Sequence, residues 1–123
     1  MTKKIMVVDD EENILELVKA ILEKEKFSII TAKSGKECLD LLKKVKPDLI
    51  LMDLMMPSMT GKETTKKIRE NPKTKNIKII FLTVARLSEV GMEELDKLNV
   101  SDYITKPFDN EDLVRRVKRA IGE

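Results

Sequence analysis

Four short apolar runs in this chain each stop at a residue able to handle phosphate or a metal ion. Ile5-Met6-Val7-Val8 stops at Asp9 and Asp10, Leu49-Ile50-Leu51-Met52 at Asp53, Ile79-Ile80-Phe81-Leu82 at Thr83, and Tyr103-Ile104-Thr105 at Lys106. Carboxylates, a hydroxyl and an ammonium are what phosphoryl chemistry asks of a protein: a nucleophile, a place for a cation, and charge to neutralise the moving group. Nearly uniform apolar runs of this length, separated by amphipathic stretches, read as buried parallel strands joined by helices, because a sheet covered on both faces needs no polar alternation. Parallel strands end on one edge. The five groups then meet along one rim, where open α/β sheets bind their ligands.

The elements that must position them are five strands alternating with five helices, in a single domain spanning residues 1–123 with no Pro/Gly/Ser linker. Strands 1, 3 and 4 are the most apolar and belong in the centre; mixed strand 2, residues 27–32, and short strand 5 suit the edges. The expected fold is a doubly wound five-stranded parallel sheet of order 2-1-3-4-5, a flavodoxin-like (βα)5 three-layer sandwich whose chain reversal lies between strands 1 and 3. The first helix, about residues 11–24, carries Ile14, Leu17, Val18, Ile21 and Leu22 on one face. Ser34 with Glu37, and Thr60 with Glu63, have capping-box spacing and start the second and third helices. The third, roughly residues 61–70, offers little apolar surface beyond Ile68 and is expected to be the most exposed. Leu87, Val90, Leu95 and Leu98 give the fourth helix its spacing, with Asn99 suited to the left-handed turn that ends it. The fifth begins at an Asp109 cap and runs through Leu113, Val117, Ala120 and Ile121.

Composition excludes several classes. With no histidine and one cysteine, zinc has no ligand set. Cys38, at helical spacing with Leu41, Leu42 and Val45, reads as a buried structural thiol. A formal charge of +2, from 24 basic and 22 acidic side chains, gives no strong pull toward nucleic acid. The stretch Arg115-Arg116-Val117-Lys118-Arg119 lacks interleaved aromatics and reads as the solvent face of an amphipathic helix, suited to a partner protein before nucleic acid. No apolar run is long enough to cross a bilayer, and Met1-Thr2-Lys3-Lys4 leads into a strand ending in two aspartates, unlike a signal peptide. A cytoplasmic protein without membrane partners is expected. The excess of Lys and Glu, with no Trp, leans toward a thermophilic composition.

Neighbouring strands lie about 4.8 Å apart, so Asp9, Asp10 and Asp53 must share a small volume. Carboxylates that close either raise their pKa or recruit a cation, and all-oxygen ligation favours Mg²⁺, with Mn²⁺ as the alternative. Thr83 has one strand gap to span toward Asp53, whereas Lys106, about 10 Å away, needs its long stem to reach the same carboxylate. Singly, each residue has an ordinary reading: Asp10 as a helix cap, Thr83 as a β-branched strand residue, Lys106 as a solvated loop lysine, Tyr103 as edge packing. Capping does not account for Asp53.

Val8-Asp9-Asp10-Glu11, Met52-Asp53-Leu54-Met55-Met56-Pro57 with Gly61, Leu82-Thr83 and Tyr103-Ile104-Thr105-Lys106-Pro107-Phe108 follow one another at the right strand ends. In this the whole chain resembles the receiver domain of two-component response regulators. The resemblance implies that Asp53 accepts a phosphoryl group from a phosphohistidine on a sensor histidine kinase or phosphotransfer protein. It further implies Mg²⁺ bound by Asp10 directly and Asp9 through water, with Asp53 and the Met55 backbone carbonyl as further ligands. Thr83 would bond a phosphoryl oxygen, Lys106 would contact the phosphate beside a cis peptide to Pro107, and Tyr103 would turn inward when Thr83 moves. The face of the fourth helix, fifth strand and fifth helix would then address a downstream effector protein. The protein would act on itself and turn over no external metabolite. A chemotaxis-type stand-alone receiver, monomeric or dimerising on phosphorylation, and a receiver cut from a longer regulator both fit.

Three positions depart from the family pattern. Val84 stands where a small residue is usual, and its bulk restricts access; Met55 and Ala85, two residues after Asp53 and Thr83, cannot orient an attacking water. Slow self-dephosphorylation is the expectation. The competing enzyme class is an aspartyl-nucleophile phosphatase acting on a small phosphomonoester, which usually has a second acid where this chain has Met55. A flavodoxin-like cofactor binder is a third reading on fold alone, opposed by the anion-repelling Asp9-Asp10-Glu11-Glu12.

Overall fold

The computed structural model describes residues 2–84 and 97–123. Five strands, β1 (Lys4–Val8), β2 (Ser28–Ala32), β3 (Leu49–Met52), β4 (Lys78–Thr83) and β5 (Asp102–Thr105), form one parallel sheet in the order β2-β1-β3-β4-β5. Among the described residues four helices cover it: α1 (Glu12–Glu23), α2 (Gly35–Leu41), α3 (Gly61–Glu70) and α4 (Asn110–Ala120), the last being the fifth of the sequence reading.

Side chains alternate across a strand, so each apolar run feeds two cores at once. Ile5 and Val7 of β1, Leu49 and Leu51 of β3, and Ile80 and Leu82 of β4 pack with Leu15, Val18 and Leu22 of α1 and Leu113 and Val117 of α4. Met6, Val8, Ile50, Met52, Ile79 and Phe81 point the other way, onto Cys38 of α2 and Ile68 of α3. Full burial of each such side chain is worth about 1.5–3 kcal/mol, which is why the central runs 5–8, 49–52 and 79–82 carry no polar residue on either face. Cys38 is fully buried, and burial pushes its thiol up to about 12.

Details of the helices depart from the sequence reading. The buried stripe of α1 runs through Leu15, Val18 and Leu22, with Ile14 and Ile21 on its shoulder, and Leu17 is left 45% exposed. Its N-cap is Glu11, so Asp10 is not the cap. Asp109 does occupy the N-cap of α4, but without a side-chain capping bond. Ser34 accepts the Glu37 N–H at 3.1 Å, and Thr60 and Glu63 complete a reciprocal box. Far from being mostly exposed, α3 buries Gly61, Thr64, Thr65 and Ile68. Small residues serve here because α2 comes close: a Cβ on Gly35 would lie 2.2 Å from Thr64 Oγ1. Asn99 has the expected left-handed φ of 55°. Leu87, Val90 and Leu95 fall outside the described residues, while Leu98 is buried.

Candidate functional site

Hydrogen bonds between β1, β2 and β3 continue one residue beyond the strands. Asp9 N–H donates to Ala32 O (3.1 Å) and Asp53 N–H to Val8 O (2.9 Å), so both aspartates leave the sheet at the same level on adjacent strands. One carboxylate oxygen from each of Asp9, Asp10 and Asp53 lies within 4.8 Å of the others. Asp9 and Asp53 are buried and Asp10 is exposed, which gives the cluster an inner end and a mouth.

The inner end is held by opposite charge. Lys106 Nζ donates to Asp9 Oδ2 at 2.6 Å and stands 3.6 Å from Asp53 Oδ2. Length of reach alone aims this ammonium at Asp53; the structure places it nearer Asp9. The hydrogen bonds explain why both carboxylates turn the same oxygen to the lysine. Asp9 Oδ1 accepts the Glu11 N–H (2.9 Å) and Asp53 Oδ1 the Met55 N–H (3.1 Å), leaving each Oδ2 for the cation. Burial first, then the charges of Asp9 and Asp10, push the Asp53 carboxyl from its ordinary 3.8 up to about 6, against the opposing pull of Lys106 and the Met55 N–H. For Lys106, burial works against the charged form, but the hydrogen bond to Asp9 and the charges of Asp53, Asp9 and Glu11 outweigh it and raise its pKa.

The turn after β3 fits tightly over this cluster. Gly61 N–H donates to Leu54 O (3.1 Å), and a Cβ on Gly61 would fall 2.0 Å from the carbonyl oxygen of Asp53. Glycine is required at 61 by this approach of backbone to backbone, not by turn chemistry. Ser58 takes the turn's positive φ of 67°. Across the rim, Thr83 closes β4 in register with Thr105; its side chain lies outside the described residues, as does Ala85. Met55 follows Asp53 by two residues and Val84 follows Thr83, and both are among the most exposed large apolar side chains described, 59% and 65%. Tyr103 is half-buried against Phe81, ring centroids 6.1 Å apart, and the Lys106–Pro107 peptide is cis.

Three carboxylates with one lysine form an all-oxygen, net-negative donor set whose exposed member faces solvent. That chemistry fits a hard divalent cation such as Mg²⁺, which takes few carboxylates and keeps waters. Sequence reasoning missed two features of the neighbourhood. Arg116, read as solvent-facing, folds back onto Asp102 of β5 (2.7 Å) and Asp112 (2.9 Å). Asp9 Oδ1 accepts the N–H of Glu11, the N-cap residue of α1, so Asp9 is tied to the start of that helix. No helix among the described residues is long and apolar enough to cross a membrane.

The family profile of the response regulator receiver domain matches residues 5–118. Chemotaxis protein CheY4 of Vibrio cholerae is 30% identical, with a TM-score of 0.91 over 98% of this chain and 99% of that one. A CheY-like response regulator receiver domain protein from Methanospirillum hungatei is 41% identical, with a TM-score of 0.83 over 98% and 94%. The receiver domain of a sensor histidine kinase from Pseudomonas aeruginosa, solved with a magnesium ion coordinated in its active-site cleft, is 25% identical over the full length of both chains, TM-score 0.88. A profile match across nearly the whole chain, on a sheet whose rim gathers the acids and the lysine, establishes that this chain belongs to the response regulator receiver domain family.

Proposed function

We propose that Asp53 is the phosphoacceptor of this signalling switch and that Asp9, Asp10, Asp53 and the Met55 carbonyl hold a Mg²⁺ ion beside it. The observation that carries the reading is the convergence of three carboxylates and the Lys106 ammonium at one rim, buried at its inner end. Bound there, Mg²⁺ would neutralise charge on the transferring phosphoryl group. An Asp53 carboxylate oxygen attacks phosphorus; the new O–P bond forms as the P–N bond of a donor phosphohistidine breaks, and the imidazole leaves. The carboxylate must be ionised to attack. Both the cation and Lys106 favour that form and offset the burial that raises its pKa.

Lys106 already stands between Asp9 and Asp53, so a phosphoryl oxygen arriving on Asp53 offers it a partner without a long excursion. The Thr83 hydroxyl takes a second phosphoryl oxygen, and Tyr103 follows it inward. The donor is a phosphohistidine-bearing kinase or phosphotransfer protein, and the effector meets the face formed by β5 and α4. The phosphatase reading finds no support in the family match. Acetyl phosphate with Mg²⁺ is expected to add one base-labile phosphoryl group to wild type and none to Asp53→Asn, read by intact mass. Equal labelling of both proteins would move the acceptor elsewhere.

A further inference from the structure

A single guanidinium ties together the starts of the two strands that carry the cationic side of the site. Arg69, in the last turn of α3, donates from Nη1 to the carbonyls of Lys75 (3.0 Å) and Ile77 (2.7 Å). From Nε and Nη2 it donates to the carbonyls of Leu98 (2.6 Å) and Asn99 (3.1 Å). Ile77 is the residue before β4, and Asn99 stands shortly before β5. Both segments leave carbonyls in need of donors. Leu98 and Asn99 close a turn whose left-handed Asn99 cannot continue a helix, and 75–77 leave the loop after α3. Burial lowers the pKa of Arg69 but leaves it charged, and its planar fork reaches four carbonyls from three separate nitrogens, whereas a lysine has three donors on a single nitrogen.

The strand so held is the one in most need of it. β5 has four residues and one neighbour, and Ile104 is its single fully buried side chain. Its pairing with β4 begins at Ile80 and Asp102, preceded by one bond from Ser101 N–H to Ile79 O (2.8 Å). A slip of one residue would carry Lys106 about 3.3 Å along the strand axis, off the level of the rim, and turn it to the opposite face. We infer that Arg69 is a positioning residue of the phosphoryl site: by locking the start of β5 to the start of β4, it sets where Lys106 stands beside Asp9 and Asp53 at the far end. The inference rests on the proposed role of Lys106 and extends it to a residue on the other side of the domain.

The test uses Arg69→Gln and Arg69→Lys, each alone and combined with Lys106→Ala, with two readouts. Labelling by acetyl phosphate and Mg²⁺ is expected to slow about tenfold in Arg69→Gln and less in Arg69→Lys, since small displacements of a positioned group cost that much or more. In the Lys106→Ala background neither change should slow it further, because Arg69 acts through that lysine. Backbone amide exchange of the metal-free proteins should quicken in β5 and leave β1 and β3 unchanged. Labelling at the wild-type rate in both single variants would overturn the inference, as would equal slowing with and without Lys106, or protection lost evenly over all strands. Should Arg69→Gln fail to fold, Arg69→Lys, which keeps the charge and most of the stem, carries the same comparison. If Lys106→Ala alone labels like wild type, the proposed function is at fault, and amide exchange in β5 still decides on the clamp.

Discussion

Asp9 and Asp53 leave the ends of β1 and β3, strands with a neighbour on each side, in which residues 5–8 and 49–52 are all buried. Lys106 leaves β5, an edge strand with one neighbour and one fully buried residue. The acids are therefore placed by the core, and moving them means unpacking it. The lysine is placed by hydrogen bonds and ion pairs around a short strand, which can be remade at modest cost. A switch needs this asymmetry: a fixed pole that defines the chemistry, and a pole of lower local stability that can answer a new charge.

The largest expected effects test that asymmetry directly. Asp53→Asn removes the proposed nucleophile and should abolish labelling by acetyl phosphate. Lys106→Ala leaves the acids where the core holds them and removes one stabiliser of the transferring group, so labelling should slow about a hundredfold without vanishing. Complete loss in Lys106→Ala, with the fold intact by circular dichroism, would mean that the lysine is as indispensable as the acceptor, and the comparison would fail.

Packing offers the next contrast. A methyl on Gly61 meets backbone, 2.0 Å from Asp53 O, and neither partner can rotate away. Gly61→Ala should cost about 3 kcal/mol in urea unfolding, the upper end for overpacking. On the β5 side, Arg116→Gln removes ion pairs of Asp102 and Asp112 that are partly open to water, and about 1 kcal/mol or less is expected. Similar costs at the two positions would erase the difference between a core-placed and a bond-placed pole.

The acid pole also makes its own stability depend on pH. Since the Asp53 carboxyl titrates near 6 in the folded protein and near 3.8 when unperturbed, the folded state keeps its proton between about pH 4 and 6 while the unfolded chain has lost it. Stability from this group thus falls as pH rises through that window. Asp53→Asn does not titrate, so in chelator it should match wild type near pH 4 and exceed it by about 3 kcal/mol above pH 7. Added Mg²⁺ should close the gap by stabilising wild type. A constant difference across pH would show that the clustered acids carry no strain.

The same contrast governs what the sequence disclosed. Uniform apolar runs exposed β1, β3 and β4, and with them strand order and the meeting of Asp9, Asp10 and Asp53, because burial on both faces leaves a mark at every residue. Where placement depends on bonds between distant segments, no periodicity records it. Arg69 sits among the other basic residues of α3, and only the structure shows its carbonyl partners, which lie between 6 and 30 residues away along the chain. Arg116 looked solvated because its partner Asp102 lies on another element. The inner face of α3 escaped because glycine and threonine, not large apolar residues, suit its approach to α2. Lys106 was placed at the right rim by strand order, but the oxygen that each carboxylate turns to it is set by two backbone N–H groups that no spacing reveals.

The smallest expected effect concerns how long the fixed pole keeps its phosphoryl group. The Met55 N–H is bonded to Asp53 Oδ1, which fixes its Cα beside the proposed acceptor while the side chain stands 59% exposed. A thioether cannot orient water for attack on phosphorus, so the acyl phosphate should persist for minutes or longer once the donor is removed. An amide at this position would be held by the same backbone bond and could direct a water, so Met55→Asn should shorten the half-life about tenfold. Val84→Ala opens the side that leads from β4, where the exposed valine shields but orients nothing, and its effect should be smaller. Loss of phosphate followed by intact mass in the three proteins ranks them. If Val84→Ala proves the faster, access and not water orientation limits hydrolysis, and the lifetime of the signal is set on the side that carries Thr83.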